Sequence, residues 1–306
     1  MPATRRGARP DPGTREVPER VVVVRDTSPA DPGRDGLYSP EELYDATPYA
    51  ESLDARAYAW ALEDYSPESL LSRALHDAGI DQALGRWCET RSLIGVMGGH
   101  AALRGSQGYA EAARLGHLLG ADHTVATGGG PGAMEAANLG GSLAHAGGAV
   151  LEEALAVLTA VPTYRPAIDD WVETARRARN LWPDPNPTLG VPTWHYGHEP
   201  PNLLATAVAK YFRNAQREAI LLQICDAGIV FLPGAAGTVQ EVFQDACENY
   251  YATDDKIAPM VLVGERYWTD TLPAWPLLTA LARGRAMEAH IHLVDTVEEA
   301  ASLFAD

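Results

Sequence analysis

The chain has 306 residues, 46% of them apolar, and its 41 acidic side chains against 24 basic ones give a formal net charge of −17. That length and apolar share suffice for a large core of about two domains. So acidic a surface repels phosphate backbones and anionic bilayers, which argues against general nucleic-acid or membrane binding. An anionic small molecule would need a local device, such as helix N-termini or a few placed arginines. Lys210 and Lys256 are the two lysines, so Schiff-base chemistry has two candidates. Cys88, Cys225 and Cys247 are far apart and form no CxxC, which suggests neither a disulfide framework nor a zinc site of the usual spacing. No apolar run reaches the roughly 18–20 residues of a membrane span, and no apolar stretch follows the N-terminal arginines to serve as a signal peptide. The expectation is a soluble, reduced, cytoplasmic protein.

Along the chain, residues 1–19 are rich in Pro, Gly, Arg and acids and read as a disordered leader. Residues 20–91 read as a mainly helical N-terminal extension. The run Arg-Val-Val-Val-Val-Arg at 20–25 suggests a short strand, 26–40 a loop, and 41–90 carry apolar residues at helical intervals. From residue 92 the texture changes to strand, loop and helix in alternation. Apolar strands are expected at 93–97, 123–127, 228–232, 259–263 and 291–294. Helices are expected at 109–119, 131–145, 150–160, 167–181, 203–223, 237–251, 271–283 and 297–304, with Pro131 in a first turn, where its missing N–H costs nothing. Five-residue apolar strands alternating with helices predict an α/β fold, a Rossmann-like parallel sheet covered by helices on both faces, over residues 92–306.

In such folds ligands bind beyond the C-terminal ends of the strands. Three predicted strands end there in glycine-rich loops: Gly98-Gly99-His100, Gly128-Gly129-Gly130-Pro131-Gly132 and Pro233-Gly234-Ala235-Ala236-Gly237-Thr238. Glycine lets backbone approach a ligand, and a helix N-terminus adds free N–H groups and a partial positive charge. Gly128-x-Gly130-x-x-Ala133 also fits the loose dinucleotide pattern, but the acids about twenty residues on, Glu152 and Glu153, lie in a helical stretch rather than at a strand end. No GxxxxGK[ST] is present, so a P-loop triphosphatase is excluded.

The segments Gly-Gly-Gly-Pro-Gly-Ala-Met-Glu-Ala at 128–136 and Pro-Gly-Ala-Ala-Gly-Thr-Val-Gln-Glu at 233–241 resemble the two signatures of LONELY GUY-type phosphoribohydrolases, a family often labelled lysine decarboxylases. Gly98-Gly99-His100 and Glu199-Pro200-Pro201-Asn202 are similar to motifs of the bacterial pyrimidine/purine nucleotide 5′-monophosphate nucleosidases within it. The resemblance runs from about residue 92 to 306. It implies hydrolysis of the N-glycosidic bond of a nucleoside 5′-monophosphate to free base and ribose 5-phosphate, without metal or organic cofactor, by a homodimer or larger homo-oligomer. It also implies Glu241 and Arg217 as catalytic residues. Substrate would be held by Gly98, Gly99, His100, Gly129, Gly130, Gly132, Glu199, Gly234, Ala235, Ala236, Gly237 and Thr238. The chain departs from the pattern at Glu218, where the family has lysine, at Ala235, where it has glycine, and at Gln240, where it often has an acid.

Bond cleavage at the anomeric carbon develops oxocarbenium character on the ribose, and a first-turn carboxylate at Glu241 can stabilise that charge or activate water. Thr238 fits a phosphate-binding hydroxyl, or else a plain helix N-cap. His195 and His198 flank the Glu199 loop without ligand-type partners, and His290-x-His292 points both rings to one strand face with no third ligand in sequence. Trp171, Trp182 and Trp194 are open to either a site cover or core filling. A nucleotide-binding sensor or carrier without hydrolysis is the main alternative. A pyridoxal-type decarboxylase would need a lysine on a glycine-rich loop, and neither lysine lies on one.

Overall fold

The structure is a computed structural model and describes residues 28–195, 199–253 and 256–305. The leader, the 20–25 strand and His198 lie outside the described residues. The extension folds as α1 (Pro40–Leu43), a 3-10 turn at Tyr49–Glu51, α2 (Leu53–Glu63) and α3 (Pro67–Cys88). Ser39, Ser52 and Ser66 cap the three helices, each accepting a backbone N–H with its side chain. A serine immediately before a helix satisfies one of the donors the helix leaves unpaired, so these starts are written locally.

The five expected strands are present, joined by two short strands that were not expected. In chain order the elements are β1 (Leu93–Met97), α4 (Gln107–Leu119), β2 (Thr124–Thr127), α5 (Ala133–Ser142), α6 (Gly148–Thr159), α7 (Ile168–Arg179) and the two unexpected strands, β3 (Leu189–Gly190) and β4 (Ala207–Val208). The chain continues with α8 (Asn214–Gln223), β5 (Gly228–Phe231), α9 (Ala236–Tyr251), β6 (Met260–Val263), α10 (Ala274–Ala282), β7 (Ile291–Val294) and α11 (Val297–Ser302). The seven strands form one parallel sheet in the order β4-β3-β2-β1-β5-β6-β7. Every residue of β1, β5 and β6 is buried, the mark of central strands covered on both faces. The order turns around between β1 and β5, which makes the crevice above that pair the topological switch point.

Three local expectations are corrected. Residues 203–213 are not helical: a turn at 203–204 leads into the short β4 and an irregular run, and the helix begins at Asn214. Most of that run is buried on all sides (Leu203, Leu204, Ala205, Val208, Ala209, Tyr211 and Phe212), so its apolar residues carry no helical period. Pro131 lies outside α5, which begins at Ala133 after Gly132 as N-cap. Gly132 has φ +75° and a Cβ there would meet the carbonyl oxygens of Gly99 and His100, a position only glycine fills without strain. The helix expected at 271–283 begins later, as α10 at Ala274, and is preceded by a separate π turn at Tyr267–Thr271.

Helices α4 and α5 approach each other backbone to backbone. A Cβ on Gly140 would fall 1.8 Å from the Ala113 carbonyl oxygen, and one on Gly116 would fall 2.2 Å from that of Ala137. Beside this seam Arg104 is buried against Glu135, which also accepts from the Tyr109 hydroxyl at 2.9 Å. Its other guanidinium nitrogen reaches Thr174 and the Trp171 carbonyl on α7. The glutamate of the first signature is thus an internal brace. Trp171 lies under Arg104, and Trp194 stacks on Phe212 at 4.4 Å, so both fill core. Trp182 is half-buried and donates to the Asp184 carbonyl.

Candidate functional site at the switch point

The three glycine loops meet in the crevice. The Gly99 N–H donates to the Pro233 carbonyl at 3.3 Å, joining the loops after β1 and β5. The Ala133 N–H donates to the Gly99 carbonyl at 3.2 Å, joining the loop after β1 to the start of α5. Asn202 holds the loop after β2 from the far side: its N–H donates to the Gly129 carbonyl and its amide to that of Gly130. Sequence reasoning placed Asn202 in a motif but not in the site, and its role as a loop brace had no local signal.

Helix α9 opens beneath the loop after β5 with no side-chain cap, so its first-turn N–H groups remain available to an anion. Thr238 is the third helical residue rather than the N-cap and is buried. A Cβ on Gly234 would fall 2.1 Å from the Thr238 hydroxyl, so this glycine is fixed by close approach. Ala235, by contrast, has φ −101°, so the left-handed backbone that would require glycine is not used there. Ala236 and Gly237 are exposed and close the same turn.

Glu241 sits one turn further in. Its side chain is 15% exposed and lies 3.7 Å from the Arg217 guanidinium. Burial pushes its carboxyl up to about 6, the nearby Arg217 charge opposes that rise and the Glu218 charge adds to it. Arg217, buried on α8, spends Nε on the Val191 carbonyl at 2.6 Å and a terminal nitrogen on that of Gly128 at 3.1 Å. Its remaining nitrogen is the one facing Glu241. Arg217 therefore ties β2 and β3 to the Glu241 helix. At the mouth, exposed His100 stands 3.7 Å from the half-buried Glu199, which lies close to Gly130. The crevice thus combines uncapped helix N–H groups, one buried carboxyl poised near neutrality and one arginine beside it.

Two departures from the family pattern turn out to be partners. The Gln240 amide donates to the Glu218 carboxylate at 2.6 Å, and Asn214 donates to its other oxygen. This contact bridges α8 and α9 with its negative end on α8, near Glu241.

The remaining candidates lie elsewhere. His290 ends a 3-10 turn and His292 is on β7, and among the described residues no group of three His, Cys, Asp or Glu is arranged to hold a metal. Lys210 is fully buried in an ion pair with Asp54 at 2.5 Å, and Lys256 lines a cavity beyond the C-terminal end of α9. Neither reaches the glycine loops. Among the described residues no helix is long and apolar enough to cross a membrane.

The strand order and the loops at its turning point define a Rossmann-like α/β protein. Residues 175–306 match the family described as possible lysine decarboxylase, a segment that includes Arg217 and the whole second signature. No curated protein matches the chain. Similar solved structures include two of the molybdenum cofactor carrier protein from Chlamydomonas reinhardtii. One is 17% identical with a TM-score of 0.43, covering 70% of this chain and 95% of that one. The other is 18% identical with a TM-score of 0.42, covering 70% and 94%.

Asp245, one turn beyond Glu241, is a buried carboxyl whose Oδ2 has no hydrogen-bond partner. Burial, aided by the Glu248 charge, pushes it up to about 8. A carboxyl that keeps its proton in the folded state while the unfolded chain releases it costs stability increasingly as pH rises from the unfolded value towards 8. Asp245→Asn lacks that cost. Its melting temperature is expected to exceed that of the wild type by several degrees at pH 8, corresponding to a few kcal/mol. The gap should close near pH 4. A thermal-melt series showing a pH-independent difference would remove this account.

Proposed function

We propose that the protein hydrolyses the N-glycosidic bond of nucleoside 5′-monophosphates, releasing free base and ribose 5-phosphate. The observation that carries the reading is the placement of a buried carboxyl, Glu241, one turn inside an uncapped helix N-terminus and 3.7 Å from the Arg217 guanidinium. The 5′-phosphate is taken by the N–H groups of the Gly234–Thr238 turn and the Thr238 hydroxyl. The ribose then lies over Glu241, and the base extends towards His100 and Glu199. As the glycosidic bond breaks, the base leaves with the bonding electron pair and the anionic carboxylate faces the positive charge growing on the anomeric carbon. Water adds to that carbon, its proton passes to Glu241, and Glu241 returns the proton to the departing base. Its raised affinity for protons makes it a better base than an ordinary glutamate. The Arg217 charge keeps it from becoming neutral altogether.

A carrier or sensor that binds nucleotide without hydrolysis uses the same helix N-terminus. Glu241 favours the enzyme over that reading, because an anion-binding site gains nothing from a buried carboxylate one turn away. The reading carries with it a cytoplasmic homo-oligomer that uses no cofactor and the domain division at about residue 92.

The test is incubation with a panel of nucleoside monophosphates and the matching nucleosides, with free base and ribose 5-phosphate measured. Monophosphates should be turned over at least about tenfold better than nucleosides, a difference of about 1.4 kcal/mol. Equal turnover of AMP and adenosine, or of CMP and cytidine, would reject phosphate anchoring. Tight nucleotide binding with no base released would establish the carrier reading.

A further inference from the structure

The chain leading into α8 is gripped by the N-terminal extension at successive residues. Val208 exchanges backbone hydrogen bonds with Tyr38, and Lys210 is paired with Asp54 on α2. The Tyr211 hydroxyl donates to Asp81 on α3 at 2.8 Å, and Gln216 reaches the other oxygen of Asp81. Between these, Asp77 on α3 accepts the Phe212 N–H at 3.0 Å and the Arg213 N–H at 2.9 Å. Arg213 is the N-cap of α8 and provides no side-chain cap. Its carbonyl accepts the Arg217 N–H at 3.1 Å. One residue therefore links the two: Asp77 holds the N–H of Arg213, and the C=O of Arg213 holds Arg217.

Asp77 is itself fixed. His76 Nδ1 lies 3.0 Å from its carboxylate, and the Tyr38 hydroxyl lies 2.7 Å from His76 Nε2. All three side chains are buried. With a proton on Nδ1, His76 donates to Asp77, and its Nε2 meets the Tyr38 hydroxyl. A buried carboxylate that accepts two backbone N–H groups and a ring N–H is well satisfied, and its charge complements the positive end of α8. Nothing in helix stability requires such a cap to come from another element, since a serine at 213 would supply one locally. Drawing it from α3 couples the register of the extension to the helix that carries Arg217.

We propose that Asp77 is a positioning residue for Arg217: the N-terminal extension sets the α8 helix, and through it the charge that stands beside Glu241. The proposal deepens the hydrolase reading and rests on it for its kinetic consequence. Its geometric consequence is independent of it. The charged side chains acting on Glu241 are Arg217 and Glu218, both on α8. The Cys225 thiol, just past the end of α8, is near enough to feel the Glu241 charge, and Asp245 follows on Glu241's own helix. A shift of α8 therefore moves the charges on Glu241 together, and loss of the close Arg217 contact raises the pH at which Glu241 loses its proton.

The test uses the full chain carrying Asp77→Asn, with Asp81→Asn as the comparison that loosens Tyr211 and Gln216 but leaves the cap. The first readout is the pH dependence of AMP and CMP hydrolysis. The second is the Glu241 carboxyl titration by carbon NMR, its resonance identified by its absence from Glu241→Gln. For Asp77→Asn the expected result is a kcat lower by roughly tenfold or more with a smaller change in KM. Its Glu241 midpoint should rise by roughly half a pH unit or more. Asp81→Asn should lower the melting temperature and, because the cap at Arg213 remains, move the midpoint by less than Asp77→Asn does. If Asp77→Asn fails to fold, His76→Gln keeps both backbone bonds while releasing the third, and a smaller shift in the same direction is expected. A folded Asp77→Asn with wild-type kcat and an unmoved midpoint overturns the proposal. If the wild type hydrolyses nothing yet the midpoint moves, the positioning role stands and the proposed function falls.

Discussion

Glu241→Gln should lower turnover of a nucleoside monophosphate by two orders of magnitude or more, about 2.7 kcal/mol, while nucleotide affinity stays at the wild-type level or improves. The amide keeps the shape and reach of the side chain but can neither accept the proton of the attacking water nor face a developing cation with a full charge. Affinity holds because the carboxylate repels a bound phosphate and the amide does not; only a group that acts in the transition state behaves this way. In the wild type kcat/KM should fall as pH drops through about 6, where Glu241 gains its proton, and the residual activity of the variant should lack that limb. Calorimetry with AMP and release of ribose 5-phosphate read the two halves. Full activity in Glu241→Gln would move the chemistry to another residue.

Arg217→Ala is expected to fail on both counts. It removes the donors that hold the Val191 and Gly128 carbonyls and leaves two buried acceptors unpaired, at a cost on the order of 2–4 kcal/mol in stability. It also removes the charge that lowers Glu241, so the acid limb moves up and less carboxylate is present at neutral pH. Nucleotide affinity should weaken about tenfold or more through the disordered loop after β2, and turnover should fall further than affinity. Arg217→Lys should recover little, since an ammonium cannot span two carbonyls and a carboxylate in one plane. A melting temperature and affinity equal to wild type in Arg217→Ala would show the guanidinium to be dispensable.

The alternation of apolar strands and glycine loops was legible because each central strand is buried on both faces and reads as an unbroken apolar run. The same property hid the non-helical stretch at 203–213. Burial from every side leaves neither a two-residue nor a 3.6-residue period, and what fixes its conformation is contact with residues 38–81, far away in sequence. Strand order was likewise absent from local pattern, though the three loops meet where the topology rule puts a ligand. In the site, Glu241 and Arg217 came from the motif resemblance, and the structure places them 3.7 Å apart. The Glu218–Gln240 contact carries no signal in sequence, because the two residues are 22 positions apart on different helices. Glu135, within the first signature, has its role set by tertiary contact as well, buried under Arg104 and Tyr109.

The backbone seam between α4 and α5 bears on how the crevice can accommodate a ligand. With glycines at 116 and 140 against opposing carbonyls, the two helices have no side-chain layer to slide on. The loop that precedes α4 and the loop that opens α5 therefore form one stiff wall, joined again at its rim by the Gly99–Ala133 hydrogen bond. If the protein acts on nucleotides as proposed, bases of different size are then accommodated by the side chains at the mouth, His100 and Glu199, rather than by movement of this wall.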